Sequence, residues 1–127
     1  YYCKRVVYRL SEAHKQRKWV REEVAILVAE YFRTKKFSKA QLSVVYQEIS
    51  DFLRFREEVI TGLPVSDVFR NYTGIYMQSE RIRCLDPDTE HFGMQGTKLQ
   101  KEIVQEYLAS PQKIMEEAEQ IYKKYKG

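Results

Sequence analysis

The stretch from Phe69 to Pro87 concentrates the residue types that recognise nucleic acid. Its spacing predicts a turn through Asn71 and Gly74, a helix from Gly74 to about Leu85 with Thr73 as its N-cap, and a stop at Asp86 and Pro87. At about 100° per residue, Ile75, Gln78, Ser79, Ile82 and Leu85 share one face. Tyr76, Met77, Glu80, Arg83 and Cys84 share the opposite face, with Arg81 at the boundary. A helix held by the first face offers the second to a DNA groove. There Arg81 and Arg83 would contact phosphates or guanine edges, and Tyr76 would pack on a sugar or a thymine methyl. Glu80 would accept from a cytosine amino group or pair with a neighbouring arginine. Gln78 joins this set if the helix is rotated outward.

A second set lies at the start of the chain. The net charge of +4 is mild, but its distribution is uneven. Residues 1–21 carry Lys4, Arg5, Arg9, Lys15, Arg17, Lys18 and Arg21 against Glu12 alone, which leaves the remainder slightly acidic. Such clustering points to an anionic partner. Lys15, Arg17, Lys18 and Arg21 would act as phosphate contacts, giving affinity without sequence information. The other reading is a segment that folds against the domain through its Val and Tyr side chains, with its charge in water.

Other chemistry finds little support. A hydrolytic triad needs a nucleophile beside an oriented histidine. The two histidines, His14 and His91, sit in a basic segment and in an expected loop. Asp86, Asp88, Glu90 and His91 resemble a cation loop, but its sixth position is His91 rather than Gly and its twelfth is Thr97 rather than Glu. The five glycines form no phosphate-binding motif. Cys3 and Cys84 lack zinc spacing and are read as free thiols in a reducing compartment. No catalytic residue, metal or cofactor is expected. No run approaches the ~20 apolar residues of a membrane span. No signal-peptide pattern is present either, so a cytoplasmic location without membrane contact is expected. The chain opens at Tyr1 without an initiator Met, which points to a piece of a longer protein.

The elements that must position these residues are helical. Tyr2 to Trp19 reads as partly helical. From Glu22 to Thr34, Val20, Val24, Leu27, Val28 and Tyr31 repeat at helical spacing, with Glu22 and Glu23 in the first turn. Arg33, Lys35 and Lys36 complement the dipole at its end. Ser38 and Gln41 form a capping box for a helix running to about Arg54 or Arg56, with Leu42, Val45, Ile49, Phe52 and Leu53 inward. Its open side is expected to show Tyr46, Gln47 and Arg54. Gly62 and Pro64 break the chain, and Ser66 opens a short turn. Thr97 caps a helix from Lys98 to Leu108 that points Ile103, Tyr107 and either Leu99 or Val104 inward. Pro111 occupies the first position of the last helix, lined by Ile114, Ala118, Ile121, Tyr122 and Tyr125. No stretch alternates as a strand does. The fold expected is an all-α, compact bundle of five or six helices with a helix-turn-helix, Myb-like trihelical part. Residues 1–18 would be a basic arm and residues 19–127 a single helical domain.

Trp19, Glu22 and Glu23 look like the opening of a Myb/SANT-like helix. Phe69, Arg70, Asn71, Gly74, Ile75, Gln78, Leu85, Asp86 and Pro87 belong to a longer pattern. It continues through Gly93, Gly96, Thr97, Lys98, Glu102, Ile103, Glu106 and Tyr107, and resembles a helical module found N-terminal to bacterial HNH-type nucleases and in phage-defence proteins. The similarity spans about Lys18 to Tyr125. It implies a non-catalytic targeting module for double-stranded DNA, the specificity part of a restriction-modification or antiviral defence protein, with its effector domain elsewhere. The alternative is a protein-interaction or homo-oligomerisation module, using the apolar stripe of the last helix.

Overall fold

A computed structural model describes residues 17–125. The helix expected between Tyr2 and Trp19 therefore falls largely outside the described residues, as do Cys3, His14 and Lys15. The described residues form five α-helices and no strand: α1 Arg21–Thr34, α2 Lys39–Thr61, α3 Tyr72–Arg83, α4 Lys98–Ala109 and α5 Pro111–Tyr125. The fold is all-α.

The centre of the molecule is α1. Six consecutive residues, Val24 to Ala29, are 0–2% exposed, so the helix is buried around its whole circumference rather than along one stripe. The helices α2 and α3 cover one side of it, and α4 and α5 the other. A helix that is apolar all round belongs in such a position. The core closes with Val45, Ile49 and Leu53 of α2, Ile75 and Ile82 of α3, Ile103 and Val104 of α4, and Ile114, Ala118 and Ile121 of α5. Ile114, Ala118 and Ile121 of the α5 stripe are thus used inside the protein, while Tyr122 and Tyr125 are half-buried.

Local chemistry sets the ends. Ser38 Oγ accepts from Gln41 N while Gln41 reaches back to Ser38 N. Thr97 and Gln100 repeat the arrangement at α4. These reciprocal bonds satisfy amides that a helix start leaves open. The helix α2 runs past the expected end to Thr61 and stops where Gly62 adopts a left-handed conformation, its N–H bonded to Glu58 O. That stop needs a residue free of a Cβ penalty.

One cap differs from expectation. The helix α3 begins at Tyr72, and Asn71 rather than Thr73 caps it, Asn71 Oδ1 accepting from Gly74 N at 2.9 Å. Asparagine two positions earlier wins because its carbonyl reaches the third amide of the helix. Asn71→Ala is expected to lower stability by about 1 kcal/mol. A urea melt that leaves the midpoint unchanged would show the cap to be idle.

The turn before α3 is fastened to α2. Arg54 donates to the carbonyls of Ser66 and Phe69, and Ser50 Oγ donates to Arg70 O at 2.7 Å. Arg70 sits at φ 46°, a left-handed conformation that ordinary side chains avoid. Its guanidinium lies 3.9 Å from the centroid of the Trp19 ring and binds both oxygens of the fully buried Glu23. Glu23 also accepts from Arg17 at 2.7 Å and from Val20 N at 3.1 Å, so the chain entering α1 and the turn entering α3 share one carboxylate. Burial pushes the Glu23 carboxyl up. The hydrogen bonds and charges of Arg70 and Arg17 more than offset it, and the net shift is below the ordinary glutamate range.

Candidate nucleic-acid interface

The outward side of α3 and the corner between α1 and α2 form one open groove of about 560 Å³. Phe37, Tyr46, Tyr72 and Tyr76 give it four aromatic walls, and Lys35, Lys39 and Arg83 give it three cations against the single carboxylate of Glu80. His91 closes one side, its Nε2 3.4 Å from Glu80. A neighbouring hollow of about 460 Å³ shares Lys35 and Arg83 and adds Lys36 and Asp88.

The aromatic walls are set by packing. Tyr46 was expected on the open side of α2, yet it is 7% exposed. It meets Tyr72 and Tyr76 edge-on, at centroid distances of 6.0 and 5.9 Å. Edge-to-face contacts of this kind are favourable beyond the area they bury. The hydroxyls of Tyr72 and Ser43 lie 3.1 Å apart and tie α3 to the start of α2. Tyr76 keeps 42% of its surface in solvent.

The cations differ in freedom. Lys35 donates to Asp86 at 2.9 Å and lies 3.4 Å from Asp88. Tyr31 Oη donates to the same Asp86 oxygen at 2.7 Å. Burial and then the neighbouring carboxylate push the Tyr31 hydroxyl above the usual tyrosine range. Burial alone would raise Asp86. Its bonds from Asp88 N, Lys35 and Tyr31 bring it below the ordinary aspartate value instead. Asp86 therefore anchors the loop after α3. Arg83 pairs with Glu80 at 3.0 Å and its guanidinium carbon lies 5.7 Å from the Tyr31 ring centroid. Lys36 and Lys39 are exposed and hold no ion pair among the described residues.

The sequence-derived candidates therefore divide. Tyr76 and Arg83 come together in the groove. Arg81 turns to the carbonyl of Gln95 at 2.7 Å, and Gln78 accepts from Gln100 Nε2 at 2.5 Å. Both brace α3 against the chain that follows it. Arg17 pairs with Glu23 and Glu57, and Arg21 grips Glu106 on α4 and Glu117 on α5 with bonds of 2.8–3.0 Å. The expected free phosphate contacts at Arg17 and Arg21 are thus internal ties. Lys18 is exposed. Sequence reasoning missed Lys39, Phe37, Tyr72 and Tyr46. In the run Lys35, Lys36, Phe37 and Lys39, a basic cluster around an aromatic, the sequence pattern assigns Lys35 and Lys36 to the helix dipole alone and gives Phe37 and Lys39 no role.

Arg21 supplies a control outside the groove. Its hydrogen bonds hold Glu106 down to about 2. A carboxyl lowered on folding stabilises above its unfolded value near 4.5 and loses that contribution as pH falls toward 2. Arg21→Ala is expected to cost about 1 kcal/mol or less, because the pair is exposed to solvent. It should also flatten the stability profile between those pH values. Thermal melts from pH 7 to pH 2 check this, and an acid limb as steep as the wild type would contradict it.

Among the described residues, no group of three or more His, Cys, Asp or Glu is placed to hold a metal ion, and no helix is long and apolar enough to cross a membrane. No family model matches the chain, and neither the curated proteins nor the solved structures yield a match.

Proposed function

We propose that this chain is a non-catalytic DNA-binding module whose interface is the groove between α3 and the α1–α2 corner. One observation carries the reading: four aromatic walls and three cations converge on a single open surface, with Lys36 in the hollow beside it. Cations hold phosphates at a cost in salt sensitivity, and exposed rings pack on sugars and bases. In this reading α3 is the groove-facing helix of a helix-turn-helix-like trihelical unit, with Tyr76 at its front. Lys35, Lys36, Lys39 and Arg83 make the phosphate contacts in place of Arg17 and Arg21. The partner is double-stranded DNA. The wider role is that of a targeting part in a nuclease or defence protein, with the effector supplied by another domain.

Fluorescence anisotropy with a labelled duplex tests it. Binding should weaken steeply with salt, and Tyr76→Ala should weaken it roughly tenfold, the loss of one ring contact. No binding to duplex at low salt would remove the proposal.

A second reading rests on a different surface. Val44, Phe55 and Val59 are 47–59% exposed and lie along the outward side of α2. That face suits a protein partner or a second copy. Light scattering that shows mass rising with concentration, and reversal by Phe55→Glu, would favour it.

A further inference from the structure

The loop between α3 and α4 carries Phe92, which at 84% is the most exposed of the large apolar side chains among the described residues. An exposed ring on a slack loop would mean little, but this loop is tied on both sides of it. Before Phe92, Asp86 is held by Tyr31 and Lys35, Thr89 Oγ donates to Arg83 O at 2.8 Å, and His91 lies against Glu80. After it, Arg81 holds Gln95 O, and Gly96 packs so closely on Leu85 that an added Cβ would sit 2.5 Å from a leucine methyl. Gly93 takes φ 111°, which turns the chain directly after the ring. The fold therefore spends several side-chain contacts on presenting a phenyl group to solvent. It does so one residue beyond His91, which lines the groove.

We propose that Phe92 is a wedge that enters the base stack of the bound duplex at a weakly stacked step, such as a mismatch or a pyrimidine–purine step. This rests on the groove being the DNA interface. An apolar ring inserted between bases kinks the duplex and brings more backbone to the flanking cations. Flexible pyrimidine–purine steps and mispaired bases yield most easily to such insertion. Lys35, Lys39 and Arg83 lie along the groove wall to receive the backbone. The wedge adds no charge, so its contribution is separable from phosphate binding.

The test uses duplexes with 2-aminopurine beside a central mismatch, a central TA step or a uniform A-tract. Wild-type protein should change the 2-aminopurine fluorescence in the first two and bind them more tightly than the A-tract. Phe92→Ala should abolish the fluorescence change and bring affinity for the mismatched duplex down about tenfold, with the salt dependence unchanged. Phe92→Leu, which keeps an apolar wedge, should recover part of both. Wild-type affinity and an intact fluorescence change in Phe92→Ala, with binding still lost on reversing the groove lysines, would overturn the wedge and leave the groove. Absence of wild-type binding to all three duplexes would overturn both.

Discussion

Replacing Glu23 by alanine should lower the stability of this domain by about 3–5 kcal/mol, the cost of leaving buried charge without its partner. Glu23 is fully buried and its two oxygens receive Arg70, Arg17 and the amide of Val20. Removal orphans the guanidinium of Arg70, which is itself 6% exposed and a turn residue at positive φ. A domain of this size has roughly 5–15 kcal/mol in total, so the variant should be near its unfolding threshold. The companion Arg70→Ala should cost a similar amount, and the double variant less than the two together, because the second change removes a group already unpaired. The carboxyl is lowered on folding, so its contribution is complete above the unfolded value near 4.5 and is lost as pH falls below it. Urea melts of the three variants at pH 7 and pH 3 measure all of this. Additive losses would show that Glu23 and Arg70 act separately.

Reversing the charge of Lys36 and Lys39 together should leave the fold intact and remove most duplex binding. Both side chains are exposed and hold no ion pair among the described residues. Each lost phosphate contact reduces the slope of log affinity against log salt by about 0.9, so the pair should reduce it by about 2. At low salt the affinity should fall a hundredfold or more, since reversal adds repulsion to the lost attraction. Circular dichroism and a thermal melt should match the wild type. Arg21→Ala, by contrast, should lose a little stability and no affinity. Equal affinity in the reversed variant and the wild type would place the interface elsewhere.

How much of this was legible in the sequence follows from the range of each interaction. Ser38 with Gln41, Thr97 with Gln100 and Pro111 act within one helical turn, and their positions could be read directly. The inward face of α3 was legible for the same reason: Ile75, Ser79 and Ile82 are buried as their spacing requires. The far end of α2 was not, because its apolar stripe stops at Leu53 while the helix continues until Gly62 ends it. The burial of α1 on all sides follows from its unbroken apolar run, Val24 to Ala29, but which four helices cover it is reported by no local pattern. The same limit governs the site. Tyr76 and Arg83 share a helix face and were found together. Lys39 and Tyr46 join them only because α2 crosses beside α3. Arg21 could be read as a free cation because Glu106 and Glu117 lie 85 and 96 residues away along the chain.

In the proposed function, DNA lies in the groove between α3 and the α1–α2 corner. Backbone amide shifts in a ¹⁵N-labelled sample, titrated with a short duplex, test it most directly. The largest changes should fall on Lys35 to Lys39, on Tyr72 to Arg83 and on His91 and Phe92, while Arg21 and the residues of α5 stay still. Changes centred on α5 or on the outward face of α2, with the groove silent, would contradict it.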